Sequence, residues 1–100
     1  MNKIINGKRY DTQTASLKGT YQYLNKFSFN YWKEELYQKK TGEWFLYGDG
    51  NALSKYSDCG GGQSWGIETI IPYSEDEAKA WAAQYLSADK YEELFGPTSE

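Results

Sequence analysis

The apolar residues of this chain change period at Pro72, and that switch constrains its fold more than any other feature. Ahead of it, β-branched and aromatic residues come in short runs separated by Gly and Asn; beyond it they recur at helical spacing. Ala78, Trp81, Ala82, Tyr85 and Leu86 stand at i, i+3, i+4, i+7 and i+8, which lays one apolar stripe along a helix. Ser74 with Glu77 forms a capping box before it, and Glu75 and Asp76 complement the positive end of the helix dipole. Asp89 with Glu92 repeats the capping pattern for a second helix, with Tyr91, Leu94 and Phe95 on its apolar face and Gly96-Pro97 as its end. Trp81, central in the stripe, is expected to be buried against a sheet.

Upstream, Lys3-Ile4-Ile5 before Asn6-Gly7 reads as a short strand ending in a tight turn. Asp11-Thr12 is expected to cap a helical turn running to Leu17 and ended by Gly19, and Thr20 to Leu24 to form a strand. The strongest β signal is a hairpin. Tyr31 to Lys40 and Glu43 to Tyr47 flank Thr41-Gly42, where Gly supplies the positive φ of the turn. Leu36 and Tyr37 point to opposite faces of that ribbon, as do Phe45 and Leu46, so both faces carry apolar residues. Gly48-Asp49-Gly50-Asn51 is expected to end the hairpin and Ala52 to Asp58 to be irregular or helical. Gly60-Gly61-Gly62 should open a flexible loop, and Ile67 to Ile71 should form a last strand stopped by Pro72. The expected fold is α+β: a small antiparallel sheet with a prominent hairpin at about 31–47, packed by a C-terminal helical pair at about 74–95.

A chain of 100 residues suits one domain over 1–100, because two independent cores do not fit. Ten Tyr, four Trp and four Phe help so short a chain reach a sufficient core, since each ring buries roughly 150–250 Å². A single cysteine, Cys59, forms no internal disulfide, which favours a reducing compartment. The opening MNKIINGKRYD has no apolar run of the kind a signal peptide needs, and no stretch reaches the length of a membrane span. The cytoplasm is the expected location.

Histidine is absent, which removes the commonest general base and metal ligand together. With one cysteine besides, structural zinc and the Cys-His and Ser-His-Asp nucleophile systems are excluded. Glu34-Glu35, Glu75-Asp76-Glu77 and Glu92-Glu93 offer carboxylates, but the acids at a helix start are explained by the dipole. Cys59-Gly60-Gly61-Gly62-Gln63-Ser64 lacks the Gly-Lys-Ser/Thr ending of a phosphate loop, and Asp49-Gly50-Asn51 lacks the later ligands of a calcium loop. Asp58 beside Cys59 disfavours its thiolate, so that thiol reads as inert. The expectation is a protein that is not an enzyme, with no catalytic residue, cofactor or metal.

Charge is divided along the chain. Residues 1–40 hold eight bases against three acids, and residues 41–100 hold three bases against eleven acids, for a net charge of −3. The run from Lys26 to Lys33 interleaves lysine with Phe27, Phe29, Tyr31 and Trp32, a pattern that stacks and tracks single strands. The sequence pI near 5.0 opposes direct nucleic-acid binding. The acids of 74–100 suit the reverse role, occupying a basic nucleic-acid groove of a partner. Glu75, Asp76, Glu92 and Glu93 are the candidate contacts there, and Tyr37, Trp44 and Tyr47 of the hairpin are the alternative anchors.

Three segments carry a resemblance: Lys3-Ile4-Ile5-Asn6-Gly7-Lys8-Arg9-Tyr10-Asp11-Thr12, the hairpin from Leu36 to Gly48, and the ending through Ile70-Ile71-Pro72, Glu77-Ala78, Trp81-Ala82 and Phe95-Gly96. Together they resemble small proteins of phages and mobile elements of Firmicutes, some of which lie near anti-CRISPR genes. The resemblance implies a cytoplasmic accessory protein of a mobile element, and its neighbourhood suggests an inhibitor of Cas9-type immunity. Joined to the missing catalytic residues, this gives the expectation of a non-enzymatic inhibitor that docks on a host or defence protein such as a Cas9-type nuclease. It carries over no functional residue. The alternative expectation is a nucleic-acid-binding or regulatory accessory module using the basic, aromatic first half. Oligomeric state stays open.

Overall fold

A computed structural model describes residues 1–99; Glu100, counted above among the acids of the C-terminal segment, lies outside the described residues. The chain runs β1 (Asn2–Ile5), β2 (Lys8–Asp11), β3 (Ser16–Tyr23), β4 (Trp32–Gln38), β5 (Trp44–Gly50), β6 (Ser57–Gly60), β7 (Gln63–Gly66), β8 (Glu68–Tyr73), α1 (Glu75–Tyr85) and α2 (Ala88–Phe95). Strands β3, β4, β5 and β8 form one antiparallel sheet in that order, and β1-β2 and β6-β7 are separate two-stranded hairpins. The fold is α+β.

The central hairpin pairs Leu36 with Leu46, Tyr37 with Phe45 and Gln38 with Trp44. Alternation along β4 and β5 then splits the apolar residues between two cores. On one face Leu36, Trp44 and Leu46 meet Ala78, Trp81 and Ala82 of α1, with Tyr91 and Phe95 of α2 packed alongside. On the other, Tyr37, Phe45 and Ile70 meet Tyr10 from the β1-β2 hairpin. Tyr37 stacks on Phe45 at 5.2 Å and Tyr10 meets Phe45 edge-on at 5.5 Å. Trp81 is 5 % exposed, so the helix stripe is buried against the sheet as its spacing predicts.

Around these elements the local structure differs from the sequence expectations in six places. Asp11 does cap a turn, accepting the Gln13 N–H on its carboxylate and the Ala15 N–H on its carbonyl, but β3 begins at Ser16 and no helix reaches Leu17. One turn fixes several dihedrals for a single bond, and pairing with β4 wins. Gly19 ends no helix either; it lets Leu86 and the Trp81 ring approach β3, where a Cβ would lie 2.8 Å from Leu86 Cδ1. Gly48-Asp49-Gly50 likewise does not end the hairpin but continues β5 in its pairing with β4, and glycine stands at 48 because a Cβ there would collide with the Tyr56 ring. The expected loop at Gly60-Gly61-Gly62 is the tight turn of the β6-β7 hairpin, with Gly61 at φ 58° and Gly62 at φ 79°. Pro72 lies inside β8, an edge strand where its missing N–H costs no ladder bond, and Ser87, not Asp89, caps α2 by accepting the Lys90 N–H.

The capping box of α1 is complete, Ser74 Oγ accepting the Glu77 N–H at 3.1 Å and Glu77 Oε1 accepting the Ser74 N–H at 2.9 Å. Among the described residues no helix is long and apolar enough to cross a membrane.

Candidate interaction surface

Exposed apolar residues gather at the end of the sheet where β3 turns into β4. Phe27 is 95 % exposed and Phe29 70 %, and Leu24 and Leu53 are exposed beside them. A floppy loop would account for such exposure, but this one is tied down. Asn25 Oδ1 accepts the Phe27 N–H at 3.0 Å, and the Ser28 and Tyr31 N–H groups close turns onto Asn25 O and Ser28 O. Asn51, from the segment after β5, clamps the loop from outside. Its Nδ2 donates to Lys26 O at 2.9 Å and Ser28 O at 2.8 Å, while its backbone N–H donates to Tyr31 O. Leu53 N–H adds a bond to Phe29 O at 2.9 Å. Leu24 holds φ 63°, the left-handed region that a leucine adopts only where its surroundings fix it.

The rings are therefore presented on a fixed backbone. Burying a Phe side chain gains roughly 1.5–3 kcal/mol, and two rings left in water on an ordered loop hold that gain for a partner. Pre-ordering spares the entropy that a flexible segment loses on binding. Lys26 beside them has no ion-pair partner among the described residues.

The anchors expected from the hairpin are placed otherwise. Tyr37 and Trp44 are buried in the two cores, at 8 % and 6 % exposure, and present no contact surface. Of the Lys26–Lys33 run, packing takes Tyr31, which is buried, and half-buries Trp32 and Lys33, while Lys26, Phe27 and Phe29 stay exposed. Tyr47 is half-buried on the face away from the helices, with its hydroxyl 3.0 Å from Asp49 and 2.8 Å from Glu68. Burial first, and then the two carboxylates, raise the Tyr47 phenol well above its ordinary range, so it stays protonated.

The acidic residues also part ways. Glu75 and Asp76 are exposed in the first turn of α1. Glu93 is exposed and 3.5 Å from Lys90, whereas Glu92 is half-buried and accepts both the Thr98 N–H at 2.8 Å and its hydroxyl at 3.1 Å. Bases of the first half neutralise acids of the second: Lys8 and Lys39 meet Glu43 in the β4-β5 turn, and Lys33 lies 3.9 Å from Asp49 of β5. The charge division of the sequence is thus partly cancelled across the sheet and persists on the two helices.

The adjacent acids Glu34 and Glu35 point to opposite faces and make no pair. Glu34 is 3 % exposed beneath α1, accepting from Trp81 Nε1 at 2.8 Å, from Lys55 Nζ at 2.9 Å and from the Tyr56 hydroxyl. Glu35 accepts the Tyr37 hydroxyl at 3.2 Å. Among the described residues no three acids or thiols gather to hold a metal ion. Cys59 is exposed in β6, its backbone N–H donating to Asp58 Oδ1.

Sequence reasoning named the Lys26–Lys33 run but not the pair of rings that stays uncovered. The signal available was Asn25-Lys26 ahead of Phe27-Ser28-Phe29-Asn30, turn formers alternating with rings where no strand partner was expected. No family model, curated protein or solved structure matches the chain.

Proposed function

We propose that the protein is a non-enzymatic binding module that docks on a macromolecular partner through the clamped loop 24–31, with Phe27 and Phe29 as anchors. The observation that carries this reading is that two almost uncovered rings stand on a backbone fixed by Asn51 and Leu53. Aromatic anchors entering pockets dominate most protein interfaces. On this reading the partner is a protein offering an apolar pocket, the protein acts in the cytoplasm of a bacterial host, and the acids of α1 steer the encounter toward a basic surface. The resemblance to mobile-element proteins makes a Cas9-type nuclease, whose nucleic-acid channel is positively charged, the first target to test.

The test is inhibition of DNA cleavage by a purified Cas9-type effector. Wild type should saturate near one molecule per effector, and Phe27→Ser/Phe29→Ser should lose at least about tenfold in potency while keeping its melting temperature. Inhibition by the double variant equal to wild type removes the loop from the site, and no inhibition by excess wild type removes the target. Lys26 beside the two rings favours a second reading, single-strand binding by stacking. Anisotropy of a labelled oligonucleotide checks it: binding that weakens steeply with salt and vanishes in the double variant would replace the protein-docking reading.

A further inference from the structure

Lys55 ends in an aromatic cage. Its Nζ lies 3.9 Å from the centre of the Trp32 ring, 5.7 Å from Tyr56 and 5.8 Å from Tyr85. Trp32 and Tyr85 stand nearly perpendicular, at 78° and 5.9 Å, so they form two walls of a corner. At its base Glu34 takes the ammonium at 2.9 Å. Ring faces plus a carboxylate are the chemistry that recognises an alkylammonium head. A corner of two walls also surrounds a compact head, where a flat guanidinium would want one stacking face.

Two features separate this cage from an ordinary buried ion pair. Its anion and its cation are unequally committed: the Glu34 side chain is 4 % exposed and held by two further donors, while the Lys55 side chain is 44 % exposed and arrives from the irregular segment between β5 and β6. There is also room beside the cage, in a cleft that Glu34 and Tyr85 share with it and that Trp32 does not line. A cleft of about 310 Å³ opens beside the ammonium, walled by Tyr73, Trp81, Tyr85 and Glu77 and floored by Glu34.

We infer that the cage is a recognition site for an alkylammonium head, methylated or not, with Lys55 as an internal stand-in that closes it in the free protein. Withdrawal of Lys55 into water leaves the Glu34 charge and the ring corner ready for an external cation, which restores the charge balance. The shared chemistry belongs either to a lysine side chain of a partner or to a small free quaternary amine. The site is separate from the Phe27–Phe29 rings, so its test can fail while the docking reading stands.

The indole N–H resonances of Trp32 and Trp81 report on the cage. Tetramethylammonium chloride, a short peptide with one Nε-trimethyl-lysine, and the unmethylated peptide are titrated against wild type, Lys55→Met and Lys55→Met/Trp32→Leu at constant ionic strength. Lys55→Met should bind tetramethylammonium or the methylated peptide at least about tenfold more tightly than wild type, and adding Trp32→Leu should abolish the gain. Peptide binding much tighter than tetramethylammonium assigns the head to a partner side chain; equal binding assigns it to a free amine. A folded Lys55→Met protein with no saturable binding, or with wild-type affinity, overturns the inference. Should Lys55→Met not fold, the wild-type titration decides: weak saturable shifts at both indoles, with the Trp81 shift lost in Trp32→Leu, support the cage, and their absence in wild type or a Trp81 shift that survives in Trp32→Leu sinks it.

Discussion

Glu34 is the residue on which most of the sheet-to-helix interface converges. Its alternation in β4 turns it inward beneath α1, where three donors satisfy it. Breaking a buried pair by removing one partner costs about 3–5 kcal/mol, and Glu34→Ala should fall at the lower end because Lys55 can turn to water. Denaturant unfolding measures it; a loss under about 1 kcal/mol would mean the carboxylate is dispensable. Trp81→Ala removes a core ring and a donor to Glu34 together, with an expected cost of about 3–5 kcal/mol by the same measurement. The burial of Trp81 was legible from its place in the helical stripe. Glu34 was not, since an acid between Lys33 and Glu35 reads as solvated until its donors, 21 to 47 residues away in sequence, are known.

The tyrosines give this residue-scale packing a pH signature. Burial and then Glu35 push the Tyr37 phenol up to about 12, and burial with neighbouring acids raises Tyr56 and Tyr47 as well. The unfolded chain loses these protons near pH 10, the folded one later, so the folded state binds more protons in between. Stability should be level below about pH 10 and fall as pH rises toward about 12. Melting temperatures followed from about pH 8 to pH 11.5 show whether it does, and Tyr47→Phe should lessen the fall.

At the scale of elements, local chemistry was readable wherever a side chain acts on its own backbone. The Ser74–Glu77 box, the Thr41-Gly42 turn and the Asn6-Gly7 turn all stand where the sequence places them. Ser74→Ala should cost about 0.5–2 kcal/mol, seen as a lower unfolding midpoint with an unchanged slope. The misread elements share one cause. Glycine is ambiguous between turning the chain and letting another group come close, and at Gly19, Gly48 and Gly50 the second role holds. Only the fold supplies the group that approaches. Gly48→Ala should therefore destabilise by about 1–3 kcal/mol through overpacking against Tyr56; a neutral result would show that the ring gives way.

For the whole molecule, the sequence carried the class and the layer order, while the surface was harder to foresee. Phe27 and Phe29 are indistinguishable from core rings by composition, and Tyr37 and Trp44 were equally plausible as anchors until the second core under the β1-β2 hairpin claimed Tyr37 and the helices claimed Trp44. Of the helix acids expected as contacts, Glu75, Asp76 and Glu93 did reach the surface. If they steer a basic partner, Glu75→Gln/Asp76→Asn/Glu93→Gln should slow association, with the difference from wild type shrinking as salt rises, and should leave dissociation nearly unchanged. Stopped-flow association at two salt concentrations reads this directly, and equal rates at both would exclude steering. Glu92 is left intact in that variant because it ties down Thr98.

One short stretch, residues 51–55, serves two places at once. Asn51 and Leu53 fasten the loop that bears the exposed rings, and Lys55, two residues on, fills the corner between Trp32 and Tyr85. Side-chain changes at Asn51 or Lys55 act on one place each, but an insertion, a deletion or a change of backbone path in this stretch reaches both the grip on the loop and the plug in the corner. The sheet behind can drift in sequence so long as its volume is kept. Descendants of this chain would be expected to vary widely in β3 and α2 and to keep the length and backbone path of residues 51–55.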